Sequence, residues 1–284
     1  MNNILLFPLD PLPVADWVEA ATNWLTTTFS GLFDVVQSIG STVMNSVNDV
    51  LLWFPPFLFI LLVAVLAYFA TNRRFGVPVF VLLGLGYVLN QGLWSQLTQT
   101  ITLVLISSLV SIIIGIPLGI LSAKSKWVHI ILKPILDFMQ TMPAFVYLIP
   151  AVAFFGIGMV PGVFASVIFA LPPTVRFTEL GITQISTELI EAADAFGSTP
   201  WQKLFKVELP LAQATIMAGV NQTVMLALSM VVTGSMIGAP GLGRDVLSVL
   251  QRAQVGSGFV AGLAIVILAI VVDRITNGFA SRDK

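Results

Sequence analysis

The side chains of this chain best placed to do chemistry are Phe138, Met139, Met142, Phe145 and Tyr147, inside the stretch D-F-M-Q-T-M-P-A-F-V-Y-L-I-P-A-V-A-F-F from Asp137 to Phe155. Their chemistry would be non-covalent. Pro143 and Pro150 bend or break a helix at mid-membrane, and the carbonyls they free need a protein-lined or watery cavity. Aromatic faces lining such a cavity attract a quaternary ammonium ion by cation–π contact, without the full opposite charge that would slow release. Ordinary helix packing is the other use of the same five residues. Asp137, four residues beyond Lys133, is either that lysine's helical partner or part of a proton or cation path.

Covalent, metal and nucleotide chemistry have little to work with. There is no cysteine, and the one histidine, His129, has no second ligand in sight and reads as a surface residue at the membrane edge. Ser107, Ser108 and Ser111 read as helix-packing hydroxyls, because no histidine partner is available to activate them. The G-x-x-x-x-G-K-[ST] phosphate cradle is missing, and the glycine cluster Gly238-Ala-Pro-Gly241-Leu-Gly243 has no strand before it and reads as a turn. The chain therefore holds no cofactor of its own, and any ATP and Mg would sit on a partner.

The element that would take force from such a partner is a polar island between apolar stretches, E-A-A-D-A-F-G-S-T-P-W-Q-K-L-F-K-V-E-L-P from Glu191 to Pro210. Thr187 is the expected cap of a helix from Glu188 to Phe196, and Gly197 is free to take the left-handed exit. Thr199 then caps a second short helix with Pro200 in its first position and Gln202 at the capping-box spacing, and Pro210 is expected to stop it. Helix, tight turn and helix on the membrane surface make a shape that can be gripped from outside the bilayer.

Composition sets the class of everything around that island. The 284 residues are 57% hydrophobic and only 10% charged, with a mean hydropathy of +0.96, against about 25% charged in a soluble domain. This is an all-α integral membrane protein. Seven candidate spans lie at 50–70, 76–93, 97–122, 131–157, 159–175, 213–237 and 257–276, with Pro172-Pro173 expected to end the fifth early. Of the thirteen Lys and Arg residues, Arg73, Arg74, Lys124, Lys126, Lys133, Arg176, Lys203, Lys206, Arg274, Arg282 and Lys284 fall on one side and only Arg244 and Arg252 on the other. That side is the cytoplasm by the positive-inside rule, which puts the island and the C-terminus inside and the N-terminus outside. The net charge of −1 and the absence of a basic run exclude nucleic acid as a partner.

The chain divides into an external N-terminal segment, 1–49, and a transmembrane domain, 50–284, that includes the loop 186–210. The first segment carries Asp10, Asp16, Glu19, Asp34 and Asp49 but no Lys or Arg, and Met1 to Pro13 lacks the basic start of a signal peptide. Trp17, Ala20, Ala21, Trp24, Thr28 and Leu32 follow a helical spacing, which predicts an amphipathic helix lying in the outer interface. Gly115 and Gly119 flank Pro117 in a G-x-x-x-G spacing that lets another helix approach closely, either within one subunit or across a dimer seam.

The island resembles the E-A-A loop of bacterial ABC-importer permeases, whose pattern is E-A-A, three residues, Gly, nine residues, then Ile, any residue and Leu-Pro. The matching positions are Glu191, Ala192, Ala193, Gly197, Leu209 and Pro210, with Val207 in place of Ile. Further runs, Q-T-M-P-A-F-V-Y-L-I-P from Gln140, V-P-G-V-F-A-S-V-I-F-A-L-P-P-T-V-R from Val160, M-L-A-L-S-M-V-V from Met225 and the G-A-P-G-L-G turn, are similar to the permease of glycine betaine/proline betaine importers. The resemblance implies a type I ABC importer permease of about seven transmembrane helices in a bacterial plasma membrane. It further implies a homodimer clamped by two cytoplasmic ABC ATPase subunits, fed by an extracytoplasmic substrate-binding protein and importing glycine betaine, proline betaine, choline or carnitine as osmoprotectants. A secondary transporter or channel for compatible solutes that works without an ATPase is the alternative, although the spans offer almost no carboxylate to drive one. A membrane-embedded enzyme would need a cluster of catalytic polar groups in the spans, and none is visible.

Overall fold

A computed structural model describes residues 12–71, 73 and 75–280. Asp10, Arg74, Arg282 and Lys284 from the charge pattern lie outside the described residues. The described residues form no strand, as a chain this apolar requires, because in lipid each backbone N–H and C=O must be satisfied within its own segment. Two helices, α1 (Val14–Thr28) and α2 (Ser30–Trp53), lead into an apolar hairpin of α3 (Pro56–Ala70) and α4 (Gly76–Asn90). The long α5 (Trp94–Lys124) follows, then α6 (Lys126–Thr141), a 3-10 turn (Ala144–Tyr147) and the short α7 (Leu148–Phe155). The chain continues with α8 (Met159–Thr183), α9 (Thr187–Ala195), α10 (Pro200–Lys203), a π turn (Leu204–Glu208), α11 (Leu209–Ser235), α12 (Leu242–Gln251) and α13 (Val255–Ala280).

Four of these helices are by themselves long and apolar enough to cross a membrane, or up to six spans if each of two bent pairs counts as one, and α4 is a shorter apolar helix. Three expected boundaries change, each at proline. Residues 50–53 finish α2 instead of starting a span: Phe54 before Pro55 is extended (φ −69°, ψ 129°), and α3 leaves at 98° to α2. The expected span 131–157 is broken at Pro143, which holds Met142 extended, and its two limbs meet at 110°. Pro150 does no bending, since it lies in the first turn of α7, where its missing N–H has no intrahelical acceptor to leave empty. Pro172-Pro173 does not end α8 either. The helix runs on to Thr183, with both prolines buried in the bundle; hydroxyls from neighbouring helices reach the turn before them, Ser111 Oγ to Val167 O at 3.3 Å and Thr223 Oγ1 to Ala170 O at 2.9 Å.

The bundle closes around α5, α8 and α11. Gly115 and Gly119 of α5 serve contact within one subunit: a Cβ at Gly119 would lie 2.6 Å from Val175 O and 2.5 Å from Thr178 Cβ, so α8 touches the backbone of α5 there. α11 approaches α8 as closely, with Gly219 against Phe177 and Pro173 O. Thr174 and Thr223 share a buried hydroxyl contact of 2.6 Å at the same level. The Gly238–Gly243 turn brings Leu242 N to within 2.9 Å of Thr100 Oγ1, which ties the start of α12 to α5. On the N-terminal side α2 enters the core through Met44 and through Phe33, which stacks on Phe154 at 4.9 Å. The face of α1 bearing Trp17 and Trp24 is exposed.

Gly119→Val should overpack the α5–α8 seam and cost about 1–3 kcal/mol. Gly86→Ala, whose Cβ meets nothing within 4 Å, serves as the control. Thermal unfolding of the purified chain in detergent should fall clearly for the first and stay near the parent for the second.

Candidate functional site

The polar island folds as two short helices joined by a tight turn. α9 begins at its expected cap, one residue before the expected start: Thr187 is already helical, and Ser186 precedes it in an extended conformation (φ −61°, ψ 140°) with no side-chain cap bond. The backbone carbonyl of Ser186, not a hydroxyl, accepts from Leu189 N at 3.2 Å. Glu188 lies in the first turn, where the helix dipole favours an anion. The exit is a Schellman motif, with Ser198 N donating to Ala193 O at 3.1 Å and Gly197 N to Asp194 O at 2.9 Å, and Gly197 at φ +75°.

The second helix starts as its residues predict. Thr199 N donates to Gln202 Oε1 at 2.9 Å and Gln202 N to Thr199 Oγ1 at 3.4 Å, a complete capping box around Pro200. Lys203 Nζ then reaches back to both Asp194 oxygens, at 2.7 and 2.9 Å, and braces the two helices as one piece. Pro210 does not stop this segment. Helix continues from Pro200 to Ser235, because the π turn ahead of the proline shifts the hydrogen-bond register, Leu209 N donating to Leu204 O, so that Pro210 sits at the start of a new α-helical frame.

What this unit presents outward is apolar. Phe196 is 91% exposed, Trp201 70% and Phe205 58%, and the last two rings stack at 5.6 Å and 10°. Exposed aromatics on a rigid, otherwise polar loop mark a docking surface. Glu191, Ala192 and Pro210 are also exposed, whereas Ala193 is buried and Leu209 packs with Ile182, Ala212 and Ile216 at the base of the loop. The six motif positions thus divide into an outward set that a partner can touch and an inward set that roots the loop in the bundle.

The aromatic and methionine residues of the broken helix do not face one space. Tyr147 is buried, its hydroxyl donating to Met139 O and its ring 6.1 Å from that of Phe169. Met142 packs on the same small core as Tyr147, Leu148, Ala151, Ala165 and Met230, while Phe138 and Phe145 point to open surface. Each group has a member on either side of the 110° bend.

The polar residues of the first limb have other partners than expected. Asp137 pairs with Arg176 of α8 and not with Lys133, and His129 pairs with Glu179 instead of standing alone. The two pairs border a cleft of about 310 Å³ that Lys133 and Thr183 also line. A signal for it was present: His129, Lys133 and Asp137 repeat every four residues on α6, and Arg176, Glu179 and Thr183 at three and four on α8, two matching polar stripes. A further ion pair, Lys124 with Glu208, had no such signal, because its partners stand 84 residues apart on different elements. Among the described residues no group of three or more potential ligands could hold a metal ion.

Comparison with known proteins gives this geometry its context. Residues 115–282 match the family described as the binding-protein-dependent transport system inner membrane component. The glycine betaine/carnitine transport permease of Listeria monocytogenes is 57% identical over 276 residues, covering 96% of this chain and 97% of that one. The glycine betaine transport system permease of Bacillus subtilis is 49% identical, covering 97% of each. The glycine betaine/proline betaine transport system permease of Escherichia coli is 47% identical over 97% of this chain and 78% of its own. Among solved structures, an inward-facing methionine ABC transporter matches with a TM-score of 0.59 at 23% identity, over 68% of this chain and 95% of that one, and so shares the fold.

Gly197→Ala would place an L side chain at a left-handed backbone with open space around it, so strain is the whole cost, about 1–2 kcal/mol. Amide hydrogen exchange across α9 and α10 should accelerate by about tenfold in G197A and by much less in G197N, since Asn tolerates this conformation.

Proposed function

The chain belongs to the binding-protein-dependent transport system inner membrane component family, and from that premise we propose that it is the membrane-spanning subunit of an ATP-driven importer for glycine betaine or a related quaternary-ammonium osmoprotectant. The observation that carries the reading is near full-length identity to permeases named for glycine betaine in three organisms. Its physical counterpart is a braced helix-turn-helix with exposed aromatics, the shape expected of a part moved by another protein. It is a permease and not an enzyme: ATP and Mg belong to a separate ATPase, and the solute arrives on a separate extracytoplasmic binding protein.

In this reading Phe196, Trp201 and Phe205, with Glu191 and Ala192, seat the loop in the ATPase, and the Lys203–Asp194 brace transmits its motion without bending. Gly197 sets the angle between the two helices. Closure of the ATPase pair drives the loop, and through it α8 and α11, so that the path opens to each side in turn. Two ATPase subunits gripping symmetrically need two such loops; the described residues carry one, which favours a homodimer. The excess of Lys and Arg on the loop side supports a cytoplasmic loop and C-terminus and an external N-terminal segment.

Met142 and Tyr147 at the break of the helix, with Phe138, Met139 and Phe145 beside them, are the proposed lining of the path, where two subunits would enclose what one leaves open. Their π faces and thioethers suit a cation that carries no N–H donors.

Reconstitution tests the reading directly. Liposomes holding this chain with its ATPase should accumulate glycine betaine only when ATP and the loaded binding protein are both supplied, and uptake by the chain alone would establish a secondary transporter or channel instead. Because the chain has no cysteine, Trp201→Cys offers a single thiol. It should react with a membrane-impermeant maleimide only from the ATPase side, and be protected when the ATPase is bound.

A further inference from the structure

The loop is joined by the chain to α8 and α11, but the structure ties it to a third helix. Lys124, in the last turn of α5, donates to Glu208 Oε1 at 2.6 Å. The same ammonium lies 2.5 Å from Oε2, so both carboxylate oxygens face the one cation. Glu208 is 2% exposed and ends the π turn that connects α10 to α11. A carboxylate this deeply buried is stabilised only by its cation, and an apolar side chain of similar size would serve stability as well or better. Stability alone therefore gives no reason for the charge.

Geometry gives one. Above the pair, α5 is in backbone contact with α8 at Gly119, and α8 with α11 at Gly181 and Gly219. Three helices thus meet where the loop is rooted, two held to it covalently and α5 held by Lys124–Glu208. A π turn is a place where a helix readily shifts register, and the pair pins that place to α5. We propose that Glu208 is a positioning residue through which the coupling loop drives α5, making α5 a third arm of the lever alongside α8 and α11. This rests on the loop acting as the lever of an ATP-driven importer. Without the pair, motion of the loop is absorbed at the π turn and reaches α5 only through the glycine seam and the non-directional apolar packing of Ile116, Ile120 and Ala123.

The test uses the complete transporter, this chain with its ATPase and binding protein in liposomes, and measures glycine betaine imported per ATP hydrolysed. Glu208→Gln and Glu208→Met should assemble with the ATPase and hydrolyse ATP, yet import about fivefold less solute per ATP, while Lys124→Arg, which keeps the charge, should hold the parental ratio. A merely structural role would lower yield and both rates together and leave the ratio unchanged, and that outcome overturns the proposal. Lys124 is half-exposed and can turn to water when its partner is removed, so should Glu208→Gln fail to fold, Glu208→Met decides, and a parental ratio there overturns the proposal equally. A parental complex that imports nothing would instead defeat the reading of the chain as a glycine betaine permease, so the two failures are distinguishable.

Discussion

Direct backbone contact between α5, α8 and α11 is the constraint on which the rest of this structure depends. In a bilayer there is little hydrophobic gain in bringing two apolar helices together, so close van der Waals packing and buried polar contacts must hold them. At Gly119 and Gly219 the absence of a side chain lets one helix reach the carbonyls of the next. Hydroxyls of Ser111, Thr174 and Thr223 then bond across the seams at distances only such an approach permits. The outer helices α3, α4 and α13 pack onto this unit, again through small residues, with Gly84 against Ile267 and Gly278 against Ala70 O.

Prolines take on different roles according to what surrounds them. Pro143 breaks a helix because the residue before it is driven to an extended conformation and nothing restores the ladder. Pro172 and Pro173 are buried where α8 packs on α5 and α11, and there the same residue type leaves the helix continuous. Pro210 follows a π turn that has already changed the register. No rule that reads proline alone separates these cases, since what decides each lies in its surroundings.

That explains what could be read from the amino-acid order and what could not. The all-helical class and the island between Glu191 and Pro210 were legible because they depend on local quantities: apolar runs, a capping box, a glycine at a left-handed exit. The Gly115–Gly119 approach was legible as a seam, though its partner, α8, was not. Illegible were the place and angle of the α2 bend, the angle of the α6–α7 bend that Pro143 led one to expect, and the pair Lys124–Glu208; the pairs His129–Glu179 and Asp137–Arg176 left a trace only as matching polar stripes on two helices. The nearest local candidate for Asp137 was Lys133, one turn away, and the tertiary partner prevailed.

The five-residue π turn before Pro210 carries a consequence for how this chain can change. An α-helix turns by about 100° per residue, so dropping a single residue between Leu204 and Glu208 would rewind the segment to plain α and rotate the aromatic tip relative to everything above it. The tip would still fold and its stacked rings would still form, yet they would look away from whatever they had faced. Beyond the side chains of Phe205 and Glu208, the length of this stretch is itself a gear tooth count that both ends of the machine must share.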